Sequence, residues 1–306
     1  MALTTTGTLS EVLSNYYDKR FLARAVANFV WKGLGRPGVI PKGEGKTVYW
    51  TRYTNLSDAS ALTEGTDPTP AGLSATNITA TVTQYGNYEQ ITDLLSLTSI
   101  DNSISSAIDV LADQAASTID SAIYAVANAS GAGQVIYASG VANRTSISAT
   151  DVVTVADLRK AKRKLDTLNA KPHTGPYYVA VAHPNVIYDL EGDSTWVNAH
   201  QYVESGISNI YNGEAGMIYG IKFIQTTQTT VLAGSGSTSD VDVYCTQIMG
   251  KEYFGVSDLQ NLRTYVKSPS PASAIELYST VGWKASFACK VLNDSFSVQL
   301  QSTVSA

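Results

Sequence analysis

From Ser10 onward the apolar positions fall at helical spacing: Val12, Leu13, Tyr16, Tyr17, Phe21, Leu22, Ala25, Val26, Phe29 and Val30. Ser10 is placed to cap this helix, and the stretch from Gly33 to Pro37 to end it. The period then changes to two. Thr47–Tyr53 sets Val48 and Trp50 against Tyr49 and Thr51, and Asn77–Thr83 sets Ile78, Ala80 and Val82 against Thr79, Thr81 and Thr83. Both predict strands of a hairpin-like region. The long connector between them carries Glu64-Gly65-Thr66-Asp67-Pro68-Thr69-Pro70, and a loop of this length is either functional or a plain surface excursion. Helical spacing returns with Ile104, Ala107, Ile108, Leu111, Ala115, Ile119, Ala122, Ile123 and Val126, capped by Asp101 or Asn102 and stopped by Gly131 and Gly133. Such a helix is about 43 Å long, well beyond the usual three or four turns, and suits a structural spine.

Beyond it the elements shorten and mix. A strand is predicted near Val135–Ala138, a helix over Val155–Asn169, a strand over Tyr177–Ala182 and a short helix after Pro184. Strand-like runs recur at Met217–Gln225, Val241–Ile248 and Tyr253–Val256. Val281, Trp283, Ala285, Phe287, Cys289 and Val291 alternate, Asn293-Asp294 reads as a turn, and Phe296, Val298 and Leu300 resume the alternation. This pattern predicts a closing β-hairpin. No repeat of fixed period is present, and the order of elements places the chain in the α+β class.

Composition sharpens this picture through charge. Charged residues are 15% of the 306, against about 25% in an ordinary domain. Residues 1–52 hold eight Lys/Arg and three Asp/Glu; residues 53–143 hold nine acidic residues and no Lys or Arg; the remainder is nearly balanced, and the net charge is −5. Charge segregated in this way suggests that the positive arm of one chain meets the negative segment of another. The acidic balance argues against a general nucleic-acid coat. No apolar run reaches the roughly 18–20 residues that span a bilayer, so no membrane partner is expected, and Met1–Ser10 lacks the regions of a secretory signal. Two cysteines, Cys245 and Cys289, make no disulfide framework.

Catalytic patterns are weak throughout. Gly43-Glu44-Gly45-Lys46-Thr47 ends like a phosphate loop, but Ile40 stands where the first glycine belongs and a strand follows. Gly131-Ala132-Gly133 follows a helix instead of a strand. Gly234-Ser235-Gly236-Ser237 lies in a Gly/Ser/Thr-rich tip and is a poor nucleophile elbow. Asp189, Glu191 and Asp193 lack calcium-loop spacing and read as a solvated helix end. His183, before Pro184, suits a cap, and His173 and His200 have no partner at ligand spacing. No catalytic residue, metal ligand or cofactor is expected. The dense basic run Arg159, Lys160, Lys162, Arg163 and Lys164 is a solvated face or a protein contact, or else a contact with a polyanion.

Several phrases, taken in order, resemble the major capsid proteins of tailed bacteriophages, whose fold is shared with herpesvirus capsid floors and encapsulins. They are Thr47-Val48-Tyr49-Trp50-Thr51-Arg52-Tyr53; Leu62-Thr63-Glu64-Gly65 with Pro68; Gln84-Tyr85-Gly86-Asn87-Tyr88 with Ile91-Thr92-Asp93-Leu94; and His183-Pro184 with Tyr188-Asp189-Leu190. Asn212-Gly213-Glu214 with Tyr219-Gly220, Gly250-Lys251-Glu252 with Gly255, and Val281-Gly282-Trp283-Lys284 continue the series. The resemblance implies an N-terminal arm (1–44), an extended loop (45–95), a peripheral domain with the spine helix (96–144, rejoined by 261–306) and an axial domain (145–260). It also implies a homo-oligomer of hexamers and pentamers, closed into an icosahedral shell around double-stranded DNA bound without sequence specificity. Scaffolding, portal and decoration proteins are possible partners, and assembly would take place in the host cytoplasm. An encapsulin-like compartment around an enzyme cargo is the alternative. Glu64 and Asp67, near the tip of the extended loop, need basic partners on another chain, and Arg20, Arg24, Arg159, Lys160 and Arg163 are the candidates.

Overall fold

The structure, a computed structural model, describes residues 10–27, 29–39, 45–54, 56–59, 61–62, 64–65, 67, 69–98, 103–129, 131–196, 216–267, 270, 275 and 277–305. Of the first helix it describes only the side chains of residues 17–25. The helix α1 (Ser10–Ala27) leads through a 3-10 turn at Lys32–Leu34 to β1 (Arg36–Val39), β2 (Thr47–Tyr53), β3 (Ala75–Thr81), β4 (Thr83–Thr92), α2 (Asp93–Thr98) and α3 (Ser103–Ala127). The middle of the chain holds β5 (Gln134–Tyr137), α4 (Val155–Thr167), β6 (Tyr178–Ala182) and α5 (Pro184–Glu191). There follow β7 (Met217–Ile218), β8 (Ile221–Gln225), β9 (Val231–Leu232), β10 (Val243–Met249), β11 (Phe254–Lys267), β12 (Tyr278–Val291) and β13 (Ser297–Ser302).

Two layered bodies result. One is a four-stranded sheet in the order β1-β11-β12-β4, in which β1 runs parallel to β11 and the other pairs are antiparallel. Its inner face packs under α1 and α3: Phe21, Ile108, Ala115, Ile119 and Ile123 close over Val281, Trp283, Ala285 and Phe287. The second body is the sheet β5-β13-β10-β6-β8-β7, with β9 also paired to β10. In β6, Val179 and Val181 belong to the first core, while Tyr178, Ala180 and Ala182 face α4 and α5 in a second core. A strand buried on both faces reads as an unbroken apolar run, as Tyr177–Ala182 does.

The helix α3 is 25 residues, about 37 Å, and buries one face along its whole length. Its last carbonyls are not left bare. Tyr253 donates its hydroxyl to Ala127 O at 2.7 Å, Thr230 donates to Asn128 O at 2.6 Å, and Gln299 Nε2 donates to Ala129 O at 2.9 Å. Gln299 also donates to Asn128 Oδ1 (3.1 Å) and Gln247 Oε1 (3.3 Å), inside a buried amide network that Ser297 and Gln301 extend.

The structure departs from the pattern-based expectation at four places. The first helix ends at Ala27, not near Gly33, because the chain is redirected by Asp120. Its carboxylate accepts from Val30 N (2.6 Å), Trp31 N (3.2 Å) and Lys32 N (3.1 Å), capping the 3-10 turn from outside the segment. The closing hairpin does not form. β12 pairs with β11 and β4, β13 pairs with β10 and β5, and the Asn293-Asp294 turn carries the chain from one sheet to the other. Each strand is central in its own sheet, so neither has a free edge to offer the other. β11 is far longer than Tyr253–Val256. Register shifts between Asp258 and Gln260, and between Gln260 and Arg263, break the alternation that would reveal it. β4 escapes notice because Ile91 is its one buried side chain. The expected caps Asp101 and Asn102, His200 and the Asn212-Gly213-Glu214 phrase lie outside the described residues.

Candidate assembly interface

The predicted hairpin is present. β2 and β3 pair antiparallel from Thr47 opposite Thr81 to Tyr53 opposite Ala75, and they form a sheet of their own. Val48, Trp50 and Ala80 turn inward onto Ala288 and Leu292 near the end of β12. Tyr49 and Tyr53 turn outward and are exposed. Trp50 is seated on bare backbone. A Cβ built at Gly255 would lie 2.8 Å from the indole, and one at Gly38 would lie 3.0 Å from it. Two glycines on neighbouring strands thus make the seat that a large ring requires. From the far end of the hairpin, Leu56, Leu62 and Leu73 stand exposed. Glu64 and Asp67 are exposed too and form no ion pair among the described residues. Gly65 takes φ +79° at the Glu64-Gly65 turn, a conformation open to glycine at no steric cost.

The basic candidates have different surroundings. Arg20 makes a two-pronged contact with Asp109 (2.9 and 2.6 Å), and Arg24 repeats it on Asp113 (2.8 and 2.6 Å). The common spacing of four aligns α1 parallel to α3, and Phe21 and Ala25 are buried between the two pairs. The guanidinium of Arg20 holds the Asp109 carboxyl below its ordinary value, against the opposing effect of its partial burial. The positive first segment and the negative second segment therefore do meet, but within one chain. Arg20 and Arg24 each hold an aspartate of α3 in their own chain. On α4, Lys160 bonds Asp157 at 2.8 Å, and Arg159 lies over the Tyr219 ring at 5.4 Å. Arg163 is exposed and carries no ion pair among the described residues.

Groups with possible chemistry are occupied structurally. His183 Nδ1 accepts from Asn185 N at 3.3 Å, so the ring caps α5, and it packs on Tyr244 with centroids 5.1 Å apart. Burial lowers its pKa. Ser235 Oγ donates to Ala233 O at 3.3 Å and does not meet His183. Asp193 accepts from Val155 N at the start of α4 (3.1 Å) and from Thr195 N (2.8 Å), and Asp189 holds Ser305. Asp193 is thus a cap and Asp189 a tether. Cys245 and Cys289 are free thiols that burial pushes up to about 12. A cleft of about 640 Å³ between the hairpin and the body holds Arg36, Arg52, Lys171 and Glu252, with Arg36 paired to Glu252 at 3.7 Å and Arg52 donating to Asn293 at 3.3 Å. Among the described residues no group of His, Cys, Asp and Glu could hold a metal ion. Gly43 and Glu44 lie outside the described residues, and the strand that starts at Thr47 offers no helix N-terminus.

A sequence model described as phage capsid protein matches residues 75–292, from the return strand of the hairpin to the tip of β12. The chain belongs to the phage capsid protein family. No curated protein matches it. Solved structures agree on the fold. The capsid of Ralstonia phage GP4 superposes with a TM-score of 0.73 over 91% of this chain and 92% of that one, at 13% identity. The capsid of cyanophage P-SCSP1u gives 0.69 over 90% and 89%, at 16% identity. A virus-like particle from Pyrococcus furiosus gives 0.57 over 94% and 99%, at 9% identity. The fold is that of the tailed-phage major capsid proteins, and the chain is a structural protein of a phage shell.

Two residues of this capsid protein matter more than its sequence suggested. Asp120 is a lone acid beside Ile119 on the buried face of α3, 2% exposed. That position was a visible signal, since a buried acid must have donors to meet. The seat of Trp50 carried no such signal, because Gly38 and Gly255 meet only through the parallel pairing of β1 with β11.

Proposed function

We propose that this capsid protein assembles as hexamers and pentamers of an icosahedral shell around double-stranded DNA, and that its hairpin clasps a neighbouring subunit. The observation that carries the clasp is the state of residues 54–74. Their described members are exposed throughout, with three large leucines and three acids that form no ion pair among the described residues, while the root of the same hairpin is buried around Trp50. Exposed leucines in an acidic, Lys/Arg-free excursion are costly on a solitary particle and useful against a neighbour. In this reading residues 1–44 are the arm, 45–95 the extended loop, 96–144 with 261–306 the peripheral domain built on α3, and 145–260 the axial domain. Arg163, exposed on α4, remains available to a neighbour, whereas Arg20, Arg24 and Lys160 contribute inside their own chain. Assembly takes place in the host cytoplasm, with scaffolding, portal and decoration proteins as possible partners.

Deletion of residues 58–72 tests the clasp. The expected product is a folded subunit, with far-UV circular dichroism like the parent, that forms few or no shells by electron microscopy. Normal shells from the deletion would refute the clasp, and an unfolded subunit would make the loop part of the core. A shell of the same fold around an enzyme cargo is the second reading, since a virus-like particle from Pyrococcus furiosus shares the fold. Nuclease-protected genomic DNA in purified particles separates the two.

A further inference from the structure

The cleft between the hairpin and the body gathers cations from three separate parts of the chain. Arg36 comes from β1, Arg52 from β2 and Lys171 from the loop after α4, and all three line one cavity of about 640 Å³. Glu252 is the one carboxylate on its wall. It meets Arg36 at 3.7 Å, beyond hydrogen-bond length, and Arg52 donates to the neutral amide of Asn293 at 3.3 Å. Lys171 forms no ion pair among the described residues. The cleft is therefore positive in a chain whose net charge is −5. Its body wall is tightly built. Lys251 N donates to Lys171 O at 2.8 Å, and a Cβ at Gly250 would lie 2.5 Å from that same oxygen, so the loop of Lys171 is pressed onto the turn of Glu252. Asn169 and Glu252, both on this wall, hold φ of +51° and +67°. Left-handed backbone is costly at a non-glycine residue, and residues held in it cluster at ligand sites. The opposite wall is the hairpin, rooted by Trp50.

Convergent cations with one loosely held carboxylate suit a multiply charged oxyanion. Guanidinium forks match phosphate oxygens two at a time, and an ammonium meets them as a point charge. The cavity has the volume of an ordinary small-ligand site, more than a single phosphate fills. We propose that the cleft binds a di- or triphosphate anion, free or carried by a nucleotide, which bridges Arg52 on the hairpin to Arg36 and Lys171 on the body. Like charges on facing walls repel unless a counter-charge lies between them, so the bound anion also holds the hairpin against the body. The site belongs to the single subunit and does not depend on the clasp reading.

Calorimetric titration of the full chain with sodium tripolyphosphate at low ionic strength tests it. Expected is saturable binding, weakened about tenfold by each of Arg36→Gln, Arg52→Gln and Lys171→Gln and unchanged by Arg163→Gln on α4. Equal weakening by Arg163→Gln would make the binding a general response to charge and overturn the site. Glu252→Gln removes the competing carboxylate and should tighten binding several-fold, a gain that a misfolded variant does not give; no gain overturns the assignment. Adenosine triphosphate in the same titration separates the sources. An affinity no higher than that of tripolyphosphate assigns the free anion, and a higher one assigns a nucleotide. A thymidine oligonucleotide that binds more tightly than either would give the cleft to nucleic acid and overturn the small-ligand reading. The bridge has its own readout. With ligand at about 100 times the dissociation constant, exchange of the amides in 47–53 and 75–81 should slow about a hundredfold in the parent and much less in Arg52→Gln. Saturable binding with unchanged exchange in the hairpin would overturn the bridge.

Discussion

Replacing Trp50 with alanine should release the hairpin from the body without unfolding the body. The indole is 5% exposed and fills the centre of a small cluster formed by Val48, Ala80, Ala288 and Leu292. Truncating a buried tryptophan to alanine costs about 3–5 kcal/mol. A two-stranded hairpin is at best marginal by itself in water, so this loss exceeds what can hold β2 and β3 in place. Neither main core contains a buried residue from these strands, and the opening should therefore be local. Hydrogen exchange read by mass spectrometry checks it. A loss of 3 kcal/mol lowers protection of the amides in 47–53 and 75–81 by about a hundredfold, while α3 exchanges as before. Unchanged protection in the hairpin would refute the anchoring argument. An equal loss in α3 would refute the separation of the hairpin from the body. Shell formation should fail in the same variant, because a clasp without a fixed root loses its direction.

Three further outcomes follow from polar contacts within the chain. Asp120→Ala strands the donors of Val30, Trp31 and Lys32 and should lower stability by about 2–3 kcal/mol, measured by chemical denaturation; a change below 0.5 kcal/mol, on the order of an ordinary surface substitution, would remove its capping role. Gln299→Ala breaks the network that closes α3 and should cost about 1–3 kcal/mol, with faster exchange at the last turn of the helix as its signature. The Asp109 pKa is depressed by Arg20, so its contribution is complete above the unfolded value of 3.8 and is lost as the pH falls below it. The pair is partly exposed and contributes about 1 kcal/mol or less. Thermal unfolding of the parent should fall more steeply than that of Arg20→Ala below about pH 4, and equal slopes would show that the pair does not stabilise the fold.

What could be read directly was whatever local period carries. The α3 stripe, the inward Val48 and Trp50, and the doubly buried β6 each depend on a side chain and its near neighbours along the chain. What could not be read was pairing. The alternation of β12 and of β13 is present, but a turn at Asn293 fits a hairpin as well as a crossing between sheets, and only the partners β4, β5, β10 and β11 decide. The same limit governs charge. Segregation of positive and negative segments predicted that they meet, yet a sequence does not distinguish meeting within a chain from meeting between chains. Here the distinction has a physical consequence. Arg20 and Arg24 bind α1 to α3, with Phe21 and Ala25 buried beside them, so those charges act within the subunit. Glu64 and Asp67 extend from a rooted hairpin. Charges satisfied at home set the fold; under the proposed clasp, charges that form no ion pair among the described residues and stand beside exposed apolar groups are the ones a second copy can satisfy.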